Sequence, residues 1–90
     1  MKNSGGGMRY RKMGSLEKSH EGSFLVGGKG KPHKADDITV IVWSMCDGIT
    51  SHDDIITDIS RHTKTSEAEV KTAVMRTIAK LERFGLLKRV

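Results

Sequence analysis

Ninety residues, a single cysteine and a net charge of +5 set the first bounds. A chain this short builds one small core and buries about 60% of its unfolded surface, and a lone thiol forms no internal disulfide. The longest apolar run, residues 40–43, falls far short of the ~20 residues that a spanning helix needs, and no secretory signal is visible, so a cytoplasmic setting is expected.

The charge is unevenly spread. Residues 1–34 hold eight Lys or Arg against two Glu, residues 35–66 hold two against six Asp, and residues 67–90 hold six against three Glu. Basic ends around an acidic middle can steer nucleic acid or an acidic peptide, or simply keep a small domain solvated.

In chain order, residues 1–7 offer nothing to bury and are expected to form a disordered tail. Residues 8–90 read as one winged-helix-like binding domain, with a hairpin or wing over 8–27, a basic Gly/Lys loop over 28–35 and a three-helix part over 36–90. In the hairpin, Arg9-Tyr10-Arg11-Lys12-Met13 alternates, Gly14-Ser15 and His20-Glu21-Gly22 are turn signals, and Ser23-Phe24-Leu25-Val26 is rich in strand formers. Two or three strands follow, with Tyr10, Phe24 and Val26 expected to face the helices. The Gly-rich loop fails as a phosphate cradle, because Gly30-Lys31 is followed by Pro32 and position 25 is Leu.

Asp36 and Asp37 place negative charge at the start of a helix carrying Ile38, Ile41, Val42 and Met45, with Cys46-Asp47-Gly48 as its stop and Trp43 turned toward the hairpin. A second helix begins at Thr50 or Ser51, is capped with Asp53 or Asp54, lines its inner side with Ile55, Ile56 and Ile59, and closes on Arg61, His62 and Lys64. The third spans about 67–84. Ser66 and Glu69 form a capping box in which the carboxylate reaches back to the cap, and Val70, Ala73, Val74, Thr77, Ile78, Leu81 and Phe84 make one stripe. Gly85 ends it, and Leu86-Leu87 continues as a buried extended segment. The fold class is therefore α+β and winged helix-turn-helix-like. An N-terminal β-hairpin or three-stranded sheet precedes three α-helices and a short C-terminal extended segment.

Four histidines and Cys46 show no metal-ligand spacing. Ser51, His52 and Asp53 are consecutive, so their side chains fan out on a helix instead of aligning as a relay. Asp53, Asp54 and Asp58 suit an exposed capping face. No catalytic residue, metal site or cofactor is expected. The outer face of the long helix is more informative. On a winged-helix reading, Lys71, Thr72, Arg76, Lys80 and Arg83, with Lys88 and Arg89 beyond, would contact double-stranded DNA as in a transcription regulator.

The run Val42-Trp43-Ser44-Met45-Cys46-Asp47-Gly48-Ile49-Thr50, then Asp54-Ile55-Ile56, Val70, Val74, Leu81 and Gly85-Leu86-Leu87, resembles the PqqD family. These small proteins and domains bind the leader peptides of ribosomally made, enzymatically modified peptides. Cys46, Asp47 and Gly48 match the family's turn, with Ser51 in the place of its threonine. In two places the chain departs from the pattern: Gly30-Lys31-Pro32-His33-Lys34 stands where an apolar third strand is usual, and Ala73 where an acidic residue is common. The resemblance implies a non-catalytic module that binds a precursor's leader by strand addition and presents it to a modifying enzyme. Phe24 and Val26, or His33, Lys34 and Ala35, would offer the edge, and Lys71, Met75 and Arg76 the opposing wall. The same edge is open to a second copy of the chain, which would give a homodimer.

Overall fold

The computed structural model describes residues 7–28 and 30–90. The tail expected over 1–7 lies outside the described residues except for Gly7. The elements run β1 (Arg9–Lys12), β2 (Ser15–Ser19), β3 (Gly22–Val26), β4 (Pro32–Ala35), α1 (Asp37–Met45), β5 (Asp47–Ser51), α2 (His52–Thr63), α3 (Glu67–Arg83) and β6 (Leu87–Arg89).

Each helix starts where a side-chain oxygen meets an otherwise orphaned N–H. The Thr39 N–H donates to Asp36 Oδ1 (3.0 Å), the Asp54 N–H to Ser51 Oγ (3.3 Å) and the Glu69 N–H to Ser66 Oγ (3.3 Å). The expected capping box differs in one bond. The Glu69 carboxylate accepts from the Ser66 hydroxyl (3.1 Å), which pairs the two side chains and leaves the Ser66 backbone out.

On α3 the buried stripe is Val70, Val74, Thr77, Ile78 and Leu81. Ala73 and Phe84, expected on it, are exposed, as is Ile41 on α1. At roughly 100° per residue Ala73 and Phe84 sit on one flank of that stripe, beyond the arc the core covers.

The strands form two sheets, ordered β5-β1-β6 and β2-β3-β4. β1 therefore does not pair with β2 as a front hairpin. It runs antiparallel between β5 and β6, with Arg11 opposite Asp47 on one side and Lys88 on the other. Burial explains the choice: in this position Tyr10 is sealed into the core while Arg9 and Arg11 point out. The Cys46-Asp47-Gly48 stop does end α1, but the chain continues as β5, a strand with only Ile49 and Thr50 to signal it. The basic loop is shorter than expected, since Pro32–Ala35 forms β4. Proline is tolerated there as the first residue of a strand that stands at an edge.

The second sheet has three strands, Ser15 opposite Val26 and Ser23 opposite Ala35 fixing its register. Leu25 is the buried residue of β3, at 1% exposure, while Phe24 and Val26 are half-buried. The expectation that Phe24 and Val26 face the helices fails by one residue, which in a strand exchanges the two faces.

Trp43 ties the sheets to the helices. Its indole N–H donates to the Met13 and Leu86 carbonyls, each at 3.1 Å, and the Met13 N–H also reaches Leu86 O (2.9 Å). Around it Tyr10, Leu25 and Ala35 from the strands pack with Val42, Ile55, Ile59, Val74, Ile78 and Leu86 in one buried cluster. The result is the α+β, winged-helix-like architecture, with sheet first and α2–turn–α3 behind it. Among the described residues no helix is long and apolar enough to cross a membrane.

Candidate functional site

β3 lies between β2 and β4, so the backbone groups of Phe24 and Val26 face ladders on both sides. Neither can offer a free edge. That role falls to the outer strands of the sheet, and of the residues singled out in the sequence to His33 and Lys34 on β4.

β4 and the residue after it come close to the C-terminal end of α3. The half-buried His33 ring stacks on Phe84 with centroids 4.3 Å apart and planes 10° from parallel. At the end of β4, Asp36 is held below the ordinary carboxylate range by hydrogen bonds from Thr39, with the positive charge of Lys80 a further contributor. Phe84 and Lys80 thus mark the side of α3 that meets β4. Helical spacing places Arg76 and Ala73 on that same flank, and Lys71, Met75 and Glu82 on the other. Met75 packs against the core, and Glu82 meets Arg89 at 3.8 Å.

The structure therefore brings His33 against Phe84 and the end of β4 toward Lys80, with Arg76 one turn further along the same flank and Lys71 and Met75 on the other. It adds Lys80 and Phe84 to the wall, residues that the sequence offers only as a DNA contact and as part of the apolar stripe. Neither Arg76 nor Lys80 forms an ion pair among the described residues, and the flank's own carboxylate, Glu69 one turn before Ala73, is engaged by the Ser66 hydroxyl. A cleft of ≈ 910 Å³ opens where the sheet meets the end of α3, lined in part by Val26, Gly27, His33, Arg83 and Phe84.

The residues read for DNA are exposed but scattered. Arg89 lies over the Tyr10 ring at 5.9 Å and beside Glu82. The first turn of α3, which would enter a groove, carries Glu67 and Glu69. Carboxylates there repel the phosphates such a helix must pass.

Ser51, His52 and Asp53 do not form a relay. Ser51 Oγ caps α2, and His52 Nδ1 accepts from the Met8 N–H at 2.9 Å. Cys46 is fully buried, and its Sγ–H points at Val42 O (3.2 Å). Burial first, and the neighbouring Asp47 charge second, push its thiol up to about 11. Among the described residues no cluster of His, Cys, Asp or Glu is placed to hold a metal.

The Asp47 turn is closed locally. Asp47 Oδ1 accepts from the Thr50 N–H (2.7 Å) and the Ile49 N–H (2.8 Å), and Oδ2 accepts from the Thr50 hydroxyl (3.1 Å). These bonds hold its carboxyl below the usual range. Thr50, not Ser51, completes this turn, because Ser51 is engaged as the cap of α2.

The family model described as "Coenzyme PQQ synthesis protein D (PqqD)" matches residues 20–87. Comparison with curated proteins and with solved structures gave no significant match.

Proposed function

The chain belongs to the PqqD family, and we propose from that premise that it is a non-catalytic module which binds a precursor's leader peptide and presents it to a modifying enzyme. The guest adds as a strand along β4, in the gap between that edge and the flank of α3 carrying Arg76, Lys80 and Phe84. The observation that carries this reading is the open edge of β4 set beside a flank whose Arg76 and Lys80 form no salt bridge among the described residues.

Each part has a physical role. Backbone bonds to alternate residues of β4 hold an extended guest without demanding a sequence. Pro32 has no N–H, so it limits how far along β4 the ladder can extend. Arg76 and Lys80 favour an acidic guest and speed its encounter. The His33–Phe84 stack and Val26 in the cleft below receive apolar side chains. Lys71 and Met75, on the other flank, are outside this groove.

The test is a titration of the labelled chain with an acidic leader-type peptide, followed by backbone amide shifts. Saturable shifts over residues 33–35 and along residues 76–84 are expected. Lys34→Pro, which removes a donor at the exposed edge, should weaken binding about tenfold. Arg76→Glu should weaken an acidic guest and spare a neutral one. Shifts confined to β2, or binding to duplex DNA that falls steeply with salt while the peptide does not bind, would refute the reading.

A further inference from the structure

The β5-β1-β6 sheet carries a feature that strand addition on β4 does not use. Its register sets Arg11 directly opposite Lys88 on the neighbouring strand. Opposed residues of an antiparallel pair share a face, and like charges placed there destabilise the sheet. Arg9, two residues along β1, points the same way. The Val90 N–H donates to Arg9 O (3.0 Å), which extends the row by one more position.

Among the described residues no carboxylate pairs with Arg9, Arg11 or Lys88, and the Arg9 guanidinium donates to the Ile49 carbonyl (2.9 Å). Asp47 stands across from Arg11 on β5, but both its oxygens are engaged inside its own turn. The Arg11 guanidinium instead lies over the Gly48 backbone, where an added Cβ would come within 3.3 Å of Nε. Beside the cations stand apolar side chains open to solvent: Ile49 is 76% exposed and Val90 64%.

We propose that this outward face of the β5-β1-β6 sheet, centred on Arg9, Arg11 and Lys88, docks an acidic polypeptide surface. Guanidinium groups beside exposed aliphatic anchors make a patch typical of protein interfaces. A nucleic acid fits less well. Its phosphates would pair with the cations but leave Ile49 and Val90 uncovered, and the patch holds no aromatic ring on which a base could stack. The three cations repel one another in the free chain, and an acidic partner converts that repulsion into attraction. β4 belongs to the other sheet, so a guest strand and this partner need not compete for the same residues.

The test titrates the full labelled chain with poly-L-glutamate of about 20 residues. Saturable amide shifts over residues 9–11, 47–49 and 88–90 are expected, scored apart from any at β4 and α3, so this face can fail while the peptide edge stands. Lys88→Glu should lower that affinity at least tenfold while raising the melting temperature by about 2–5 °C, since it replaces a repulsive cross-strand pair with an attractive one. Lys88→Thr, a strand-compatible neutral change, provides the same readout should the charge reversal disturb folding. Shifts confined to β4 and α3, or an affinity indifferent to both variants, would overturn the proposal. So would a DNA duplex that binds this face as tightly as poly-L-glutamate. Self-association through the same face, for instance onto Asp53, Asp54 and Asp58 of another copy, would overturn it too by making the occupant a second chain.

Discussion

Trp43 combines bulk with a hydrogen-bonding role. Trp43→Phe keeps most of the packing but removes the N–H shared by Met13 O and Leu86 O. Leu86 O still has the Met13 N–H, so Met13 O bears most of the loss. A destabilisation of about 1–3 kcal/mol is expected in urea unfolding, the range for stranding a buried polar group. Cys46 should be chemically quiet. With its thiol pushed up to about 11 and its side chain fully buried, alkylation of the native chain at neutral pH should run at least about a hundredfold slower than that of the unfolded chain. Asp36 and Asp47 set the acid limb of stability. Both carboxyls titrate below the ordinary value of 3.8 in the folded state. Their contribution is present above that value and is lost as pH falls from it through the depressed folded values. Unfolding midpoints measured down to pH 2 should fall in that window, and Asp47→Asn should flatten the decline.

Among the elements, the helices were legible because three- and four-residue spacing and side-chain caps are local signals. Ser66 shows the cost of one such signal: Ser66→Ala should lose about 1 kcal/mol of stability, visible as a lower melting temperature. The strands were read less well, for reasons that differ. β5 is Asp-Gly-Ile-Thr-Ser, which looks like a turn, and it becomes a strand only because β1 lies beside it. β4 opens with proline and carries two polar residues, so it reads as loop until β3 supplies its partner. β1 was seen as a strand, but its partners are about 40 and 80 residues away, and local pattern contains no long-range pairing. The candidate groove suffers from the same limit. Arg76 was visible as an outward cation, but separating it from Lys71 and Met75 required knowing which flank of α3 meets β4.

At the scale of the whole chain, alternating charge blocks fold into separate surfaces. The basic front of the sequence does not form one patch. Arg9 and Arg11 join Lys88 on the β5-β1-β6 sheet, while Lys34 stands on β4 in the other sheet. Salt should therefore act on the two surfaces independently. Raising ionic strength should weaken acidic guests at both, and Arg76→Glu should leave the poly-L-glutamate shifts over residues 88–90 in place. The winged-helix outline follows from composition, caps and stripe, whereas the division into two sheets follows from which strand reaches which partner first.

The junction where Trp43 grips both sheets also provides a spectroscopic handle. As the chain's single indole, 6% exposed and hydrogen-bonded at the seam, it should emit at short wavelength in the native protein. Denaturant that parts the strands before it melts the helices would shift that emission to the red ahead of any loss of helical dichroism. Coincident curves would mean that the seam and the helices come apart as one cooperative unit.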